Sequence, residues 1–319
     1  MRLILSRKGF DSALGGAASP IFPDGAMTSL PIPLDGAPTT YAQIAKGPDA
    51  SLGPIVADLT RGAITGATTA HLDPDLAHPA LPRRPGWRPA FGQTGASATH
   101  LERCGVGVGD VFLFFGWFRA VQRGSDGCWR YESTAPNRHV MFGWLQVGEK
   151  IVVDRHGPTA LLRQKPWLAD HPHLSFGPDP RNVIYVAAER LMLPGYADTG
   201  LPGAGEFSYF HPRLALTCPN GTGRSTWRVP AWFAPGAGRP ALTYHGDPRR
   251  WRLDGRHARL TVVSQGQEFV LDCANRPLAA AWIMRMLEAH ATGRLLITRR
   301  RDQGKRSLKE ASQWEAPGP

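Results

Sequence analysis

Residues 108–119 read Val-Gly-Asp-Val-Phe-Leu-Phe-Phe-Gly-Trp-Phe-Arg, and this stretch decides the fold class. Its aromatic and β-branched side chains predict a strand that ends in a polar turn at residues 124–127. The same pattern predicts further strands at residues 139–149, 151–154, 182–188, 213–217, 241–245 and 259–272. The strongest helix prediction covers residues 277–288, whose apolar side chains share a face. The sequence therefore predicts a strand-rich α+β protein with few helices.

Length and composition describe a globular chain. The 319 residues include 42% hydrophobic residues and ten tryptophans, and Gly and Pro together make 65 positions, which predicts many turns and short strands. No apolar run approaches the roughly 20 residues of a membrane helix, and the apolar segment Leu3–Leu5 is too short for a secretion signal. Four scattered cysteines show no zinc or redox spacing. We expect a cytoplasmic protein with reduced thiols.

The chain is basic, with a net charge of +11. Residues 298–319 hold six basic and three acidic side chains and contribute +3, so the rest of the chain carries +8. This excess favours a polyanionic partner such as DNA or a nucleotide, because phosphate contacts supply salt-dependent affinity. The alternative is a basic protein without a nucleic-acid partner, since net charge does not define a binding site.

The first strand, Leu3–Leu5, runs into a polar loop bounded by glycines. Cations, hydroxyls and glycines on such a loop are typical of a phosphate or polar-ligand site, because glycine lets the backbone approach the ligand. The ligand-binding candidates here are Ser6, Arg7, Lys8, Gly15 and Gly16, and Asp11 and Ser12 are candidates for contact with the reacting group. The alternative is a solvated turn after an N-terminal strand.

His71, Asp73 and Asp75 form the most concentrated imidazole and carboxylate cluster. Residues two apart point to one side of an extended chain, so the three side chains are candidates for one catalytic site with general acid–base chemistry. His-x-Asp also supplies two ligands of a non-haem iron site, with His211 or His245 as the third. A proline turn is the remaining alternative.

We assign no metal ligands, since Pro74 interrupts the motif and His171–His173 reads as a loop.

Trp117 and Trp144 occupy matching Phe-Gly-Trp contexts on two predicted strands. A glycine beside an aromatic ring leaves an open notch against a flat face, and flipped bases are held by stacking on such rings. We therefore list both as base-stacking candidates, with Arg119 beside Trp117 as a possible phosphate contact. Burial in a core is the alternative for either ring.

Weaker candidates lie in the second half of the chain. Arg224 and Ser225 follow a glycine-bounded loop suited to a phosphate. His245, Gln267 and Glu268 stand near predicted strand ends and are possible additional site residues. No P-loop, dinucleotide fingerprint, nucleophile elbow or zinc-deaminase signature is present, which disfavours those enzyme classes.

The chain resembles the third type of nucleotide modification associated domain, a family encoded in bacteria and phages beside DNA base-modification systems. The resemblance rests on motifs spread over nearly the whole chain before the basic tail: residues 5–12 with Gly15-Gly16, 19–21 with 23–25, 29–33, 71–76, 105–110 with 114–119, 142–148, 203–205, 224–227, 244–245 and 266–272. It implies a phage or defence-associated setting in DNA or nucleotide modification. It implies neither a reaction nor a cofactor, and the cofactor is unknown.

The order of elements in residues 91–155 is similar to small PUA-like barrels that read modified or unpaired bases. We therefore expect four parts. They are an N-terminal Gly/Pro-rich segment with the ligand-type loop at 1–90, a PUA-like barrel at 91–155, a strand-rich part ending in a helix at 156–297, and a disordered basic tail at 298–319.

Two functions fit these observations. In the first, an enzyme attaches or removes a group on a DNA base or nucleotide, with Arg7, Lys8 and Arg224 on phosphate. His71 with Asp73 or Asp75 would then transfer the proton. In the second, a non-catalytic reader binds a modified or flipped base. The acidic and imidazole cluster favours the enzyme, because a reader does not need it. No membrane partner is expected, and protein partners are not predicted.

Overall fold

The computed structural model describes residues 1–46, 50–153, 159–175, 179–221, 223–264 and 266–288. The strands in these residues are β1 (Arg2–Arg7), β2 (Ser19–Ile21), β3 (Ile32–Pro33), β4 (Thr39–Thr40), β5 (Thr69–His71), β6 (Ala90–Gln93), β7 (Val111–Arg123), β8 (Trp129–Tyr131), β9 (Arg138–Val152), β10 (Val183–Ala187), β11 (Ala204–Glu206), β12 (Thr226–Pro230), β13 (Trp251–Asp254), β14 (His257–Thr261) and β15 (Glu268–Asp272). The helices are α1 (Leu52–Leu59), α2 (Gly95–Arg103), α3 (Thr159–Gln164) and α4 (residues 278–288). Short 3-10 turns lie at His78–Ala80, Pro166–Asp170, Pro172–Leu174, Pro212–Leu214, Ala231–Phe233 and Pro248–Arg250. The strand-rich α+β prediction is confirmed.

A nine-stranded sheet forms the centre of the molecule, with the main order β15-β1-β7-β9-β10-β6. β2 and β8 pair with the far end of β7, and β11 pairs with β9. β7 and β9 are long because their aromatic and β-branched side chains are buried along most of the pairing. Two three-stranded sheets, β12-β14-β13 and β3-β5-β4, complete the strand pairing of the described residues.

The two end strands of the main order meet through side chains. Gln93 on β6 donates from Nε2 to Oε1 of Glu268 on β15 at 2.5 Å. The sheet is therefore curled, but no backbone ladder in the described residues joins its edges, and it does not close.

The PUA-like barrel expected at 91–155 is not found. β7 and β9 are inner strands of the large sheet, and β7 pairs in parallel with β1, which lies outside that range.

The large sheet takes strands from all three expected parts before the tail, and the boundaries at 90 and 155 stay predictions. The expected strands at 213–217 and 241–245 are wrong. Residues 213–217 follow Pro212 as a 3-10 turn with isolated bridges, and residues 241–245 are irregular with a turn. The helix expected over 277–288 is confirmed as α4, where Trp282, Ile283, Met286 and Leu287 are buried. The basic tail at 298–319 lies outside the described residues.

Three groups of buried apolar side chains hold the fold. The largest surrounds the central sheet and includes α4, the second packs α1 against the N-terminal segment, and the third covers the far ends of β9 and β10. Among the described helices, none has the length and apolar character that a membrane crossing requires.

Candidate functional site

The N-terminal loop leaves the sheet where β1 ends. Gly15 and Gly16 adopt φ values of +88° and +66°, and a Cβ on Gly15 would lie 2.3 Å from the Phe10 ring. Glycine is therefore needed at position 15 for both conformation and space. The Asp11 carboxylate accepts from the backbone N–H groups of Ala13 and Leu14, which fixes the loop as an Asp-capped turn.

This loop forms one wall of a cavity of about 130 Å³, named here the imidazole cavity. Its lining includes the five residues that the sequence analysis placed in separate parts of the chain: Arg7, Lys8, Asp11, His71 and Asp73. They meet because β1 ends beside β15, while β5 ends at His71 on the opposite wall. His173, Gln93, Thr94 and Gln267 also line the cavity. The two segments, about sixty residues apart in sequence, therefore line one cavity.

Asp73 is the centre of a buried group of histidines. Its Oδ2 lies 3.6 Å from Nε2 of His71 and 3.5 Å from Nε2 of His173, and its Oδ1 lies 3.8 Å from Nε2 of His171. Burial acts to raise the pKa of Asp73, but interactions with His173 and His71 outweigh it and hold the pKa well below its usual range. The carboxylate is therefore ionised at neutral pH and does not serve as a general acid.

Backbone and side chains around this group fix its geometry. The Gly92 N–H donates to Oδ1 of Asp73 at 2.8 Å, and a Cβ on Gly92 would lie 2.3 Å from the His173 ring. Asn182 donates from Nδ2 to the His173 carbonyl at 2.7 Å, and its Oδ1 lies 2.7 Å from Nδ1 of His173. The ligating atoms of His71, Asp73 and His173 lie within 4.8 Å of one another, so this set could hold a metal ion.

His173 was not identified from the sequence, in which His171–His173 reads as a loop without metal ligands. His211 and His245 were the candidates for a third ligand of an iron site that was not assigned, whereas the structure brings His173 to Asp73. His211 lies on a 3-10 turn, where its Nδ1 accepts from the Arg213 N–H. His245 is buried between the Thr243 carbonyl and the Val263 N–H. Two histidines flanking Pro172 were the available signal, but nothing local showed that their loop reaches Asp73.

Asp75 does not join the imidazole cavity. Both of its oxygens accept from Arg83 at 2.6 Å, and its backbone bridges to Ala90. Because the Arg83 guanidinium is nearly buried, this pair stabilises the segment after β5. We therefore no longer include Asp75 among the catalytic candidates.

Lys8 and Glu268 form a buried ion pair at the edge of the cavity. The Lys8 Nζ lies 2.8 Å from Oε1 of Glu268 and 4.7 Å from the centre of the Phe91 ring. The Glu268 carboxylate thus neutralises the cation predicted to bind phosphate. Ser6, another ligand candidate, is fully buried within β1 and does not line the cavity.

A second cavity of about 130 Å³, named here the arginine cavity, shares Arg7 with the first. It is also lined by Trp117, His139, Arg224 and Ser225, and none of its described lining residues carries a carboxylate. Arg224 donates to the Ser12 hydroxyl at 2.7 Å, so the predicted phosphate loop at 224–225 meets the N-terminal loop. Burial and the positive charge of Arg7 lower the pKa of Arg224. Two guanidinium groups in one cavity are suited to an anion.

The two tryptophans have different environments. The Trp117 indole donates to Asn137 at 2.7 Å, and its ring lines the arginine cavity. Trp144 is 5% exposed, donates to the Pro202 carbonyl at 3.1 Å and packs on Phe207. Because its ring is enclosed by the protein, the stacking role proposed for Trp144 is withdrawn.

The glycines before the two tryptophans are not open notches. A Cβ on Gly116 would lie 2.8 Å from the Lys8 carbonyl, and one on Gly143 would lie 2.4 Å from the Leu76 side chain.

A basic groove, named here the arginine groove, extends away from the arginine cavity. Its volume is about 1270 Å³, and six arginines line it: Arg138, Arg213, Arg228, Arg239, Arg256 and Arg285. None of its described lining residues is acidic. A cavity of about 510 Å³ connects the two regions, because it shares Arg224 with the arginine cavity and Arg138 with the groove. Arg119 lines this connecting cavity and donates to the Glu132 and Ser133 carbonyls.

The open curled sheet and the adjoining imidazole and arginine cavities define a strand-rich α+β protein with polar cavities where β1 ends. The family model described as nucleotide modification associated domain 3 matches residues 2–272. The chain belongs to this family, as its sequence motifs indicated. No curated protein and no solved structure matches the chain.

Proposed function

We propose that the protein is an enzyme that attaches or removes a group on a base in DNA or in a nucleotide. The observation that carries this proposal is the convergence of His71, Asp73 and His173 with Arg7 at one cavity in a member of a nucleotide-modification family. Buried imidazole and carboxylate groups in a cleft are characteristic of reactive sites, because they are unfavourable to bury without a role. The reacting part of the base enters the imidazole cavity.

Phosphate binding is assigned to the arginine cavity next to it. Arg7 lines both cavities, and Arg224 stands across the second one with Ser225. A nucleotide with its phosphate at Arg224 and its base toward Asp73 would therefore occupy adjoining spaces. Lys8 has a smaller part in this assignment, because Glu268 already neutralises its charge.

The arginine groove favours DNA over a free nucleotide as the substrate. A mononucleotide needs one or two cations, whereas six groove arginines and the connecting cavity continue the basic surface well beyond one phosphate. Phosphate contacts of this kind position a nucleic acid without reading its sequence. The four free cysteines agree with a cytoplasmic location, which is part of this proposal.

The test compares nucleosides from DNA and nucleotide pools of cells that express the protein or the Asp73→Asn variant, measured by mass spectrometry. We expect a changed nucleoside with the natural protein and none with Asp73→Asn. Asp198→Asn is the matched control, because Asp198 is an exposed carboxylate in a surface ion pair. Identical nucleosides with and without the natural protein would refute the enzyme.

A reader of modified or flipped bases is the second candidate, and Trp117 supports it. This ring lines a cavity with Arg7 and Arg224, an arrangement suited to a base and its phosphate. The PUA-like likeness of residues 91–155 adds nothing to this candidate, since the described sheet is open. A reader would bind a modified oligonucleotide with unchanged affinity in the Asp73→Asn variant and would change no nucleoside.

A further inference from the structure

Three side chains from distant parts of the sequence present metal-ligating atoms to one point. His71 Nε2 and His173 Nε2 lie 3.6 and 3.5 Å from the same oxygen of Asp73. Two ligands on a tetrahedral ion at about 2.0–2.1 Å are about 3.4 Å apart. The observed separations are longer than good hydrogen bonds and close to this distance between two ligand atoms.

The hydrogen bonds of Asn182 determine which nitrogen of His173 carries the proton. Asn182 donates from Nδ2 to the His173 carbonyl, so the amide oxygen faces Nδ1 of the ring and Nδ1–H must donate to it. In neutral His173 the lone pair is then on Nε2, directed at Asp73 Oδ2. A positive charge between the two atoms, either a proton on Nε2 or a metal ion, therefore makes this contact favourable. A metal-ligating histidine commonly donates its other ring N–H to an oxygen atom, and Asn182 Oδ1 supplies such an acceptor here.

The two oxygens of Asp73 have different surroundings. Oδ1 accepts from the Gly92 N–H, whereas Oδ2 faces His71 and His173. The carboxylate is thereby oriented with one oxygen toward both imidazoles. His171 differs from the other two histidines, because its Nδ1 accepts from the His173 N–H and its Nε2 therefore carries the proton. This N–H faces Oδ1 of Asp73 at 3.8 Å, so His171 is not a ligand.

We propose that Nε2 of His71, Oδ2 of Asp73 and Nε2 of His173 bind one divalent first-row transition-metal ion. Two imidazoles and one carboxylate suit Zn²⁺ or Fe²⁺, whereas Mg²⁺ and Ca²⁺ prefer oxygen ligands. Three protein ligands leave at least one position for water or substrate. That position opens into the imidazole cavity, which Arg7 and Thr94 also line.

The metal site deepens the proposed function and rests on it only for what the ion does in a reaction. Binding itself is measured without a nucleotide. Metal uptake without any nucleoside change would leave the site standing and refute the proposed enzyme. A nucleoside change produced by protein that takes up no metal would refute the metal site and support the proposed enzyme.

The experiment uses the full chain, stripped with a chelator and then titrated with Zn²⁺ or, without oxygen, with Fe²⁺. Metal content is measured by mass spectrometry and affinity by competition with a chromophoric chelator. We expect one ion per chain and much weaker binding of Mg²⁺. Asp73→Asn and His173→Gln should lose stoichiometric uptake. Asn182→Leu, which keeps all three ligands, should weaken binding by about 10- to 100-fold.

His211→Gln is the matched control, because it removes the histidine that sequence analysis offered as a ligand and lies away from Asp73. It should bind metal as the natural protein does. Circular dichroism shows whether each variant is folded. If a variant is not folded, metal uptake by the natural protein alone tests the proposal. Failure of the natural chain to take up an ion overturns the proposal, as does unchanged affinity in folded Asp73→Asn and His173→Gln.

Discussion

The guanidinium carbon of Arg224 lies 4.1 Å from the centre of the Trp117 ring. Arg224 also donates to Ser12, so one side chain links the aromatic face to the N-terminal loop. A cation held over an indole gives a favourable contact and orders both groups before a ligand arrives. The arginine cavity thus combines an aromatic surface with a positive charge.

Trp117→Ala should weaken oligonucleotide binding by about 1–3 kcal/mol and leave the fold intact, because the ring borders the cavity and is not enclosed. Trp144→Ala should instead lower the free energy of unfolding by about 3–5 kcal/mol, because its buried ring leaves a void. Thermal unfolding and fluorescence-anisotropy titrations on both variants test this pair. Full affinity in folded Trp117→Ala would exclude a stacking role.

The arginine groove should determine the salt dependence of DNA binding. Six phosphate contacts give a slope near −5 in a plot of log K against log salt for duplex DNA. Arg256→Gln with Arg285→Gln should reduce the slope by about 2, since each arginine neutralises about one phosphate. Arg249→Gln is the control, because Arg249 is exposed and paired with Asp247. A slope near zero for the natural protein would indicate a free nucleotide as the ligand.

Gly15 and Gly16 form a matched pair for testing the N-terminal loop. Both have positive φ, so alanine at either position should lower the free energy of unfolding by about 1–2 kcal/mol. Gly15→Ala should cost more, because its Cβ would lie 2.3 Å from the Phe10 ring, whereas nothing lies within 4 Å at Gly16. Urea unfolding measures both values. Equal losses would show that the Phe10 contact does not constrain the loop.

Stability should fall as the solution becomes acidic, partly through His139. Burial, with the nearby charges of Arg224 and Arg7, lowers the pKa of His139 from 6.5 to about 3. Below pH 6.5 the unfolded chain therefore binds a proton at His139, whereas the folded protein does not bind this proton until about pH 3. The contribution of neutral His139 to the free energy of unfolding is complete above pH 6.5 and is lost as the pH falls toward 3.

His139→Gln should flatten this dependence by up to about 1.4 kcal/mol per pH unit. The measurement is the free energy of unfolding from pH 7 to pH 4 in both proteins. Comparing slopes removes the general cost of losing the Trp227 hydrogen bond to His139. Parallel curves would show that His139 does not titrate in this way.

Local sequence patterns predicted the features that depend only on neighbouring residues. The aromatic strands β7 and β9 follow from side-chain type alone, and His71 and Asp73 meet because they are two residues apart. His173 was not predictable, since its approach depends on the pairing of β6 with β10 and on the missing side chain at Gly92. Trp117 and Trp144 share one motif, but pairing of Gly205 with Trp144 encloses only the second ring. Sequence therefore located half of the site, and long-range pairing supplied the rest.

Because β1 pairs with β15, the imidazole cavity can be completed only late in the synthesis of the chain. Lys8 leaves the ribosome 260 residues before Glu268, and Arg7 likewise precedes Gln267 by most of the described chain. Until then the two positive charges and the histidine group have no common wall. Ribosome-bound chains stopped before residue 268 would carry every predicted metal ligand without the enclosed site, so reactivity should appear late and abruptly during synthesis.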